Sequence, residues 1–427
     1  MRVLVVGSGA REHALALRLL ADPHLDELIA APGNPGLSHL VRTVAVDVME
    51  LDSLVALADR ERIDLTVVGP EAPLSVGLAD RFAAAGRLIV GPTAAAARLE
   101  SSKAFAKAFM QRHHVPTARF RTCTTLADAL ASVHAGELGW PVVLKADGLA
   151  AGKGVVIAED CAAAESVVVD AMRDHRFGAA GECLVIEECL TGPEVSFFVL
   201  TDGARALCIG TAQDHKRIFD DDRGPNTGGM GAFASSPLVT PDLAARITRD
   251  IVDPVVRGMA AEGHPYAGFL YVGAMLTPEG PKVIEFNARL GDPEAQVILP
   301  LIDEPLLPLL AASASGTLNQ TAVRISADRM ACVVLASRGY PGSSESGRPI
   351  SGVAEAARVA GVTVYHAGTA MKDGRLITSG GRVLTVAARG ADFSEAIARA
   401  YAAVLKISFD GMQYRRDIGR KALEPRQ

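Results

Sequence analysis

The sequence predicts a multidomain chain of α/β and α+β type: a doubly wound parallel sheet first, a central region with a glycine-tipped lid, and a small α+β domain last. Three observations predict it. The 427 residues exceed the roughly 100–200 of one domain, and 49% hydrophobic with 22% charged residues suffices for several cores. The first hundred residues alternate short apolar runs with helical patterns, which implies a parallel sheet with its site at the strand C-termini. Further on, two lysines, a glycine-rich hairpin and a strand with one polar face supply the parts of a polyphosphate site.

Val3–Val6 reads as a buried strand, residues 7–13 (GSGAREH) as a glycine-rich turn, and Ala14–Leu20 as the helix it opens. Such a turn aims backbone N–H groups and a positive dipole end at an anion. Leu28–Ala31, Val41–Val46, Asp64–Val68 and Arg87–Val90 are the further strands, and loops 7–10, 31–36 and 69–71 follow three strand ends. Two details oppose a dinucleotide site. Glu12 stands where GxGxxG needs its third glycine, and the second strand ends in Ala30-Ala31-Pro32, with no acid for a ribose hydroxyl. A mononucleotide-like or sugar-phosphate ligand fits better.

Thr93–His114 is helical by pattern, stopped by Val115-Pro116-Thr117, and Lys103 opens its second half. Alone, Lys103 reads as a surface lysine. A second lysine, Lys145, ends the strand Val142–Asp147, and residues 148–154 (GLAAGKG) lead into the strand Val155–Ala158. A hairpin with so small a tip suits a loop folding over polyphosphate, whose charge Lys145 can neutralise. No Ser or Thr follows Gly152-Lys153, so this is not a Walker A loop; it is a nucleotide lid of another kind or a plain flexible hairpin. After a helix near Ala162–Asp174, the run Leu184–Leu190 carries Glu187 and Glu188, with Glu194 beyond Gly192-Pro193. It reads as an ordinary strand edge or as an adenine-hinge strand with Glu194 on the ribose.

Gln213–Arg217 (QDHKR) is a dense polar cluster after a strand, and residues 220–231 form a loop with four glycines in its last eight positions, fit for close backbone approach to a substrate. The helix Pro241–Glu262 and strand Phe269–Leu276 lead into Val283–Arg289. There, strict alternation sends Ile284, Phe286 and Ala288 to the core, and Glu285, Asn287 and Arg289 to the other face. Two oxygen donors suit a hard cation, and the neighbouring guanidinium suits a phosphate or carboxylate. Alone, the stretch reads as an edge strand with a solvated face; the lysines and lid upstream raise it to a site. Gly291-Asp292-Pro293 breaks it at a turn.

Met330–Ser337, Val362–His366, Leu376–Ser379 and Arg382–Val386 read as strands and Phe393–Leu405 as a helix, with Tyr340-Pro341-Gly342 and Gly380-Gly381 as turns and His366 as a structural histidine. A net charge of −6 argues against nucleic acid as a partner. The six cysteines are scattered without CxxC, as expected of reduced thiols in a cytoplasmic protein. No signal-peptide hydrophobic region precedes Val3, and Asp303, Glu304, Pro305 and Pro308 interrupt the apolar run 297–314, so no membrane span is expected.

Lys103, Lys145 with its glycine loop, the 187–190 strand and the Glu285/Asn287/Arg289 face resemble the ATP-grasp superfamily. More narrowly, the chain resembles the phosphoribosylamine–glycine ligase (glycinamide ribonucleotide synthetase) family. The carrying segments are GSGAREHA (7–14), APGNPG (31–36), VGPEAPL (68–74), KADGLAAGKG (145–154), QDHKR (213–217), GPNTGGMGA (224–232), VIEFNARLGDPE (283–294), YPG (340–342) and HAGT (366–369), in order over nearly the whole chain. Ser8, Ala10 and Leu290 depart from the family's usual Asn, Gly and Phe.

The resemblance implies a pre-ATP-grasp domain at 1–100, an ATP-grasp central domain at 101–122 and 190–324, a mobile lid at 123–189, and a C-terminal α+β domain at 325–427. It implies ATP-dependent ligation of glycine to 5-phosphoribosylamine through a glycyl phosphate, in purine synthesis. Arg289, Lys145 and Asp214 would serve the chemistry. Lys103, Lys145, Gly152, Lys153, Gly154, Glu187, Glu188, Leu190 and Glu194 would bind ATP. Gly9, Arg11, Glu12, Asn34, Gly36, Glu71, Asp214, Lys216, Pro225, Asn226, Thr227, Gly228, Gly229, Met230, Gly231, Arg289, Gly291 and Asp292 would bind the other substrates. Glu285 and Asn287 would hold Mg²⁺ or Mn²⁺, with Glu285 bearing most of the metal charge because the strand before it (Tyr271–Met275) offers no acid. A monomer or weak homo-oligomer is expected, with no nucleic-acid or membrane partner. Competing readings are another ATP-grasp enzyme such as a carboxylase subunit, a nucleotide-binding regulator without turnover, and, already weakened, an NAD-linked oxidoreductase.

Overall fold

The structure, a computed structural model, describes residues 1–148 and 154–424. The expectations for Gly152 and Lys153 fall outside the described residues. Strands β1 (Arg2–Gly7), β2 (Glu27–Pro32), β3 (Arg42–Thr43), β4 (Leu65–Val68) and β5 (Ile89–Val90) form an all-parallel sheet in the order β3-β2-β1-β4-β5. Its central strands are apolar throughout because both faces are covered. Val3 and Val5 face one core, Leu4 and Val6 the other. The third strand is shorter than the expected Val41–Val46, since at the sheet edge, with Arg42 exposed, only two residues complete the ladder. Chain order reverses between β1 and β4, so the loops after them splay apart and leave a crevice at their C-terminal ends.

The expected helix over 93–114 is two helices, Ala94–Ser101 and Lys103–Arg112, broken at Ser102 in extended conformation (φ −138°, ψ 109°). Ser102 Oγ accepts from Phe105 N–H at 3.1 Å, as an N-cap does, which places Lys103 in the first turn of its own helix. The next four strands, β6 (Phe120–Cys123), β7 (Val142–Ala146), β8 (Val155–Ala158) and β9 (Leu184–Glu188), make an antiparallel sheet in the order β6-β9-β7-β8. Helices Leu126–Ala135 and Cys161–Val168 close its core on Leu144, Leu184 and Ile186.

The remaining chain shares one eight-stranded antiparallel sheet. Its first strands in the chain are β10 (Glu194–Asp202), β11 (Ala206–Asp214), β14 (Gly231–Ala234), β15 (Ala267–Thr277) and β16 (Gly280–Asn287), with a separate small hairpin of β12 (Arg217–Phe219) and β13 (Arg223–Asn226) between β11 and β14 in sequence. After them come β17 (Arg329–Ala336), β18 (Val362–His366), the hairpin β19 (Thr369–Lys372) and β20 (Arg375–Thr378), and β21 (Arg382–Gly390). The order β16-β15-β10-β11-β14-β17-β21-β18 shows that the last part of the chain extends the central sheet through the β14–β17 pairing.

Strand β16 departs from strict alternation. Gly273 pairs with Glu285 but Ala274 pairs with Val283, so Ile284 is the extra residue of a bulge. Val283, fully buried, therefore joins Phe286 and Ala288 in the core in place of Ile284. Pairing also ends at Asn287, which puts Arg289 two residues past the strand. Among the described residues, no helix is long and apolar enough to cross a membrane.

Candidate active site

The bulge positions the first lysine. With Ile284 out of register, its carbonyl accepts from Lys145 Nζ at 3.0 Å, which ties the sheet of β7 to the strand carrying Glu285. Lys145 also lies 3.0 Å from Glu187 Oε1, and Lys107 Nζ lies 2.8 Å from Glu187 Oε2. All three side chains are buried, so Glu187 is a shared counter-ion between two lysines. Lys107 further donates to Thr117 Oγ1 at 2.7 Å, and burial pushes its ammonium down to about 8. Lys103 donates to the Gly148 carbonyl at 2.8 Å, and burial lowers its pKa as well. Its helix is anchored by Asp147, which accepts from Ser102 Oγ and Ala104 N–H, each at 3.1 Å. Two lysines expected at a polyphosphate thus meet at the foot of the glycine loop. The Gly154 carbonyl accepts from Ala146 N–H at 2.8 Å. Glu188 turns away to Arg119 (2.6 Å), and Leu190 follows on the same segment as it leaves β9.

Beyond the lysines lies an acid-rich pocket around Lys216. Its ammonium is 3.0 Å from Glu194 Oε2 and 3.5 Å from Glu285 Oε1. These carboxylates hold Lys216 well above its usual range against the cost of burial, and Lys216 in turn holds Glu285 below the usual carboxylate range. Glu194, expected at a ribose, pairs with Lys216 here. Burial pushes Asp214 up to about 7, with Glu294, Glu194 and Glu285 adding to the rise and Lys216 opposing it. Across from Glu285, a Cβ on Gly273 would sit 3.1 Å from the Glu285 side chain and from the Tyr271 ring, a tight fit for any side chain there. Asn287 satisfies its amide in one orientation, with its NH₂ donating to Glu100 Oε1 at 2.9 Å and to the Phe286 carbonyl at 3.2 Å. Arg289 reaches Glu71 at 3.2 Å and Glu100 at 3.1 Å. The donor set fits a hard divalent cation: an ionised carboxylate and an amide oxygen two residues apart on one strand face.

The crevice of the parallel sheet opens on the same region. Glu12, buried, accepts from Gly9 N–H at 2.5 Å and Arg11 Nε at 2.6 Å. A Cβ at Gly7, Gly9 or Gly69 would collide with its side chain, so the carboxylate fills the place where a dinucleotide fold seats its pyrophosphate. Arg11 donates onward to the Leu290 carbonyl at 3.1 Å. Asn34 caps the helix Pro35–Ser38 and donates to the carbonyls of Ser8 (2.8 Å) and His366 (2.9 Å), while Gly36 packs where a Cβ would strike the rings of His13 and His366. His366 N–H donates to His13 Nδ1 at 3.0 Å, and burial pushes these histidines down to about 4 and about 3 respectively, which is a structural role.

The glycine loop meets the crevice through Arg382, whose Nη1 donates to the carbonyls of Gly228 (2.7 Å) and Asp292 (2.6 Å). Gly228 N–H donates to the Tyr340 hydroxyl at 3.0 Å, and Gly229, at φ +111°, lies against Pro293 too closely to carry a side chain. Thr227 Oγ1 donates to the Lys216 carbonyl at 2.8 Å. Met230 is fully buried with Ile218 and Ala336, and Gly231 belongs to β14, so these two face the core; Pro225 and Asn226 lie on the exposed hairpin strand β13. Gly291 lies against Glu294, and Asp292 accepts from Gln296 at 2.8 Å.

Lys107, Glu100 and Arg382 belong to this region but carry no local motif, each being a charged residue inside an otherwise ordinary helix or strand. Among the described residues, one further cluster has metal-ligating types, His134, Cys161 and Glu165 on the two helices over β6–β9. There His134 and Glu165 already bond each other, partly exposed and apart from Glu285.

Models of the phosphoribosylglycinamide synthetase family match most of the chain in three parts: the N domain at residues 1–100, the ATP-grasp (A) domain at 101–295 and the C domain at 330–421. The phosphoribosylamine–glycine ligase of Caulobacter vibrioides is 50% identical over 428 residues, covering 100% of this chain and 99% of that protein. The enzyme of that name from Vibrio cholerae is 47% identical over 430 residues, with both chains fully covered. The crystal structure of the Thermotoga maritima phosphoribosylamine–glycine ligase superposes with a TM-score of 0.84 at 32% identity, over 98% of this chain and 100% of that one. A biotin carboxylase domain from Hydrogenobacter thermophilus, solved with MgADP and bicarbonate, superposes at a TM-score of 0.72 with 19% identity over 97% of this chain and 91% of that one, which shows a common fold. The chain belongs to the phosphoribosylglycinamide synthetase family and carries its N, ATP-grasp and C domains in that order.

Proposed function

We propose that this chain joins glycine to 5-phosphoribosylamine with ATP, giving glycinamide ribonucleotide, ADP and phosphate in purine biosynthesis. One observation carries the division of labour: Lys145 sits 3.0 Å from the Ile284 carbonyl, which puts the phosphate-seeking lysine beside Glu285, Asn287 and Arg289. In the first step a glycine carboxylate oxygen attacks the γ-phosphorus and ADP leaves, giving glycyl phosphate. In the second the ribosylamine nitrogen attacks the acyl carbon and phosphate departs. Neither step needs a protein nucleophile; both need charge neutralisation and alignment.

Lys103 and Lys145 hold the phosphates of ATP, and β9 with the segment to Leu190 takes the adenine edge. Arg289, fixed by Glu71 and Glu100, faces the transferred phosphoryl group or the glycine carboxylate. Asp214, which burial pushes up to about 7, accepts the proton released by the ribosylamine nitrogen. Gly9, Arg11, Asp292 and the 225–229 loop line the ribosylamine side. Glu285 and Asn287 hold Mg²⁺ or Mn²⁺, which when bound neutralises phosphate charge.

Phosphate release from ATP tests the reading. It should require glycine and ribosylamine together; release that instead requires bicarbonate would replace it with a carboxylase activity.

A further inference from the structure

We infer that Glu100 is a positioning residue that turns the Asn287 amide so that its oxygen, not its nitrogen, is offered to the divalent cation. The inference rests on the assignment of Glu285 and Asn287 to that cation. Glu100 stands in the last turn of the helix Ala94–Ser101, and its side chain is 8% exposed. Both of its oxygens are committed. Oε2 accepts from Ala288 N–H at 2.6 Å; Oε1 lies 3.1 Å from Arg289 Nη2 and 2.9 Å from one end of the Asn287 amide, a contact that is a hydrogen bond only when that end is the nitrogen. Donors already face both oxygens, Ala288 N–H on one and the Arg289 guanidinium on the other, so Glu100 serves as an acceptor and the Asn287 end that faces it is the NH₂. The amide oxygen is then held on the far side, and Arg289 is held to the same carboxylate. One buried acid thus orders both polar side chains that follow Glu285.

Glu100→Gln reverses this logic with almost no change of shape. Ala288 N–H claims the single amide oxygen of the new side chain, which leaves its NH₂ facing Asn287. Two NH₂ groups cannot bond, so the Asn287 amide turns over and presents nitrogen to the cation. Loss of such supporting contacts costs roughly 10–100-fold in metal affinity. In an Asn287→Asp background the outcome changes sign, because a carboxylate offers oxygen from both ends. There Glu100 repels the new acid, and Glu100→Gln relieves the repulsion.

The test is Mn²⁺ binding with ADP on the full chain, read from the free-Mn²⁺ electron paramagnetic resonance signal, with circular dichroism to confirm folding. Expected is at least a tenfold weaker Mn²⁺ affinity for Glu100→Gln in the native background, and unchanged or tighter binding when Glu100→Gln is added to Asn287→Asp. Equal losses in both backgrounds, or no loss in the native one, would overturn the role of Glu100. Binding that survives Glu285→Ala would instead overturn the metal assignment itself, and this inference with it.

Discussion

Replacing Lys107 by Met tests whether the Lys107–Glu187–Lys145 chain is an ion pair in the ordinary sense or a buried charge held at a cost. Lys107 is 3% exposed and Glu187 4%, so solvent screens neither. Removing one partner of a buried pair costs about 3–5 kcal/mol; Glu187 keeps Lys145 at 3.0 Å, which lowers the expected loss at pH 7 to about 2 kcal/mol. The pH dependence is more telling. Burial lowers Lys107 from 10.5 to about 8, against the attraction of Glu187. Between those values the unfolded chain binds a proton at this lysine that the folded chain does not, so folding stability rises with pH. The fall corresponds to about 3 kcal/mol, present in the wild type and missing in Lys107→Met. The stability advantage of wild type over variant should therefore grow from pH 8 to pH 10. A simple ion-pair picture predicts the opposite, since a neutral lysine gives Glu187 nothing. Trp140, the chain's single tryptophan, precedes β7, so its fluorescence during urea unfolding reads the transition of this sheet. A difference that shrinks or stays flat between pH 8 and 10 would refute the burial reasoning.

Other perturbations bear on the site and on its frame. Glu285→Ala should remove most turnover at little cost in stability, because the side chain is partly exposed and its one direct partner among the described residues is Lys216 at 3.5 Å; near-normal activity at low Mg²⁺ would contradict this. Lys145→Ala should raise the KM for ATP more than that for glycine, and an unchanged KM for ATP with unchanged kcat would refute it. Gly36→Ala forces a methyl onto the His13 and His366 rings and should cost about 1–3 kcal/mol. Thermal melts of the single variant and of Gly36→Ala with His13→Ala check the cause, since the second change should recover part of the loss.

The parallel sheet was legible because buried parallel strands are apolar from end to end, as Val3–Val6 and Leu65–Val68 are. Glu12 was legible as an obstacle to a dinucleotide; only the structure shows how it obstructs, by laying its carboxylate over three glycines. The face Glu285/Asn287/Arg289 was half legible. Period-two reasoning cannot see a bulge, so it sent Ile284 to the core, when the unpaired residue frees the carbonyl that Lys145 uses. Glu100, Lys107 and Arg382 were not legible at all. Each acts across more than sixty residues of chain, from a helix or strand whose own pattern needs no charge. The sheet shared by β14 and β17 escaped for the same reason: pairing is a tertiary choice, and both runs simply read as strands.

These long-range contacts divide the site unevenly, and the division has a consequence for assembly. Under the proposed function, the nucleotide end needs β7, β9, the Lys103 helix and the bulge in β16, all between residues 103 and 287. The proposed ribosylamine end needs the crevice of the first sheet, the loop at 225–229 and the last hundred residues together. Asn34 bonds the His366 carbonyl, Arg382 bonds Gly228 and Asp292, and Tyr340 takes the Gly228 N–H. Because β17 and β21 continue the central sheet, Arg382 enters at a fixed height above the loop instead of on a tethered domain. Gly228 has no side chain with which to order itself, so its position is set from outside by a guanidinium and a phenol. A chain able to bind ATP but lacking its C-terminal strands would therefore retain the phosphate lysines and the cation ligands, yet present the ribosylamine with an unformed loop.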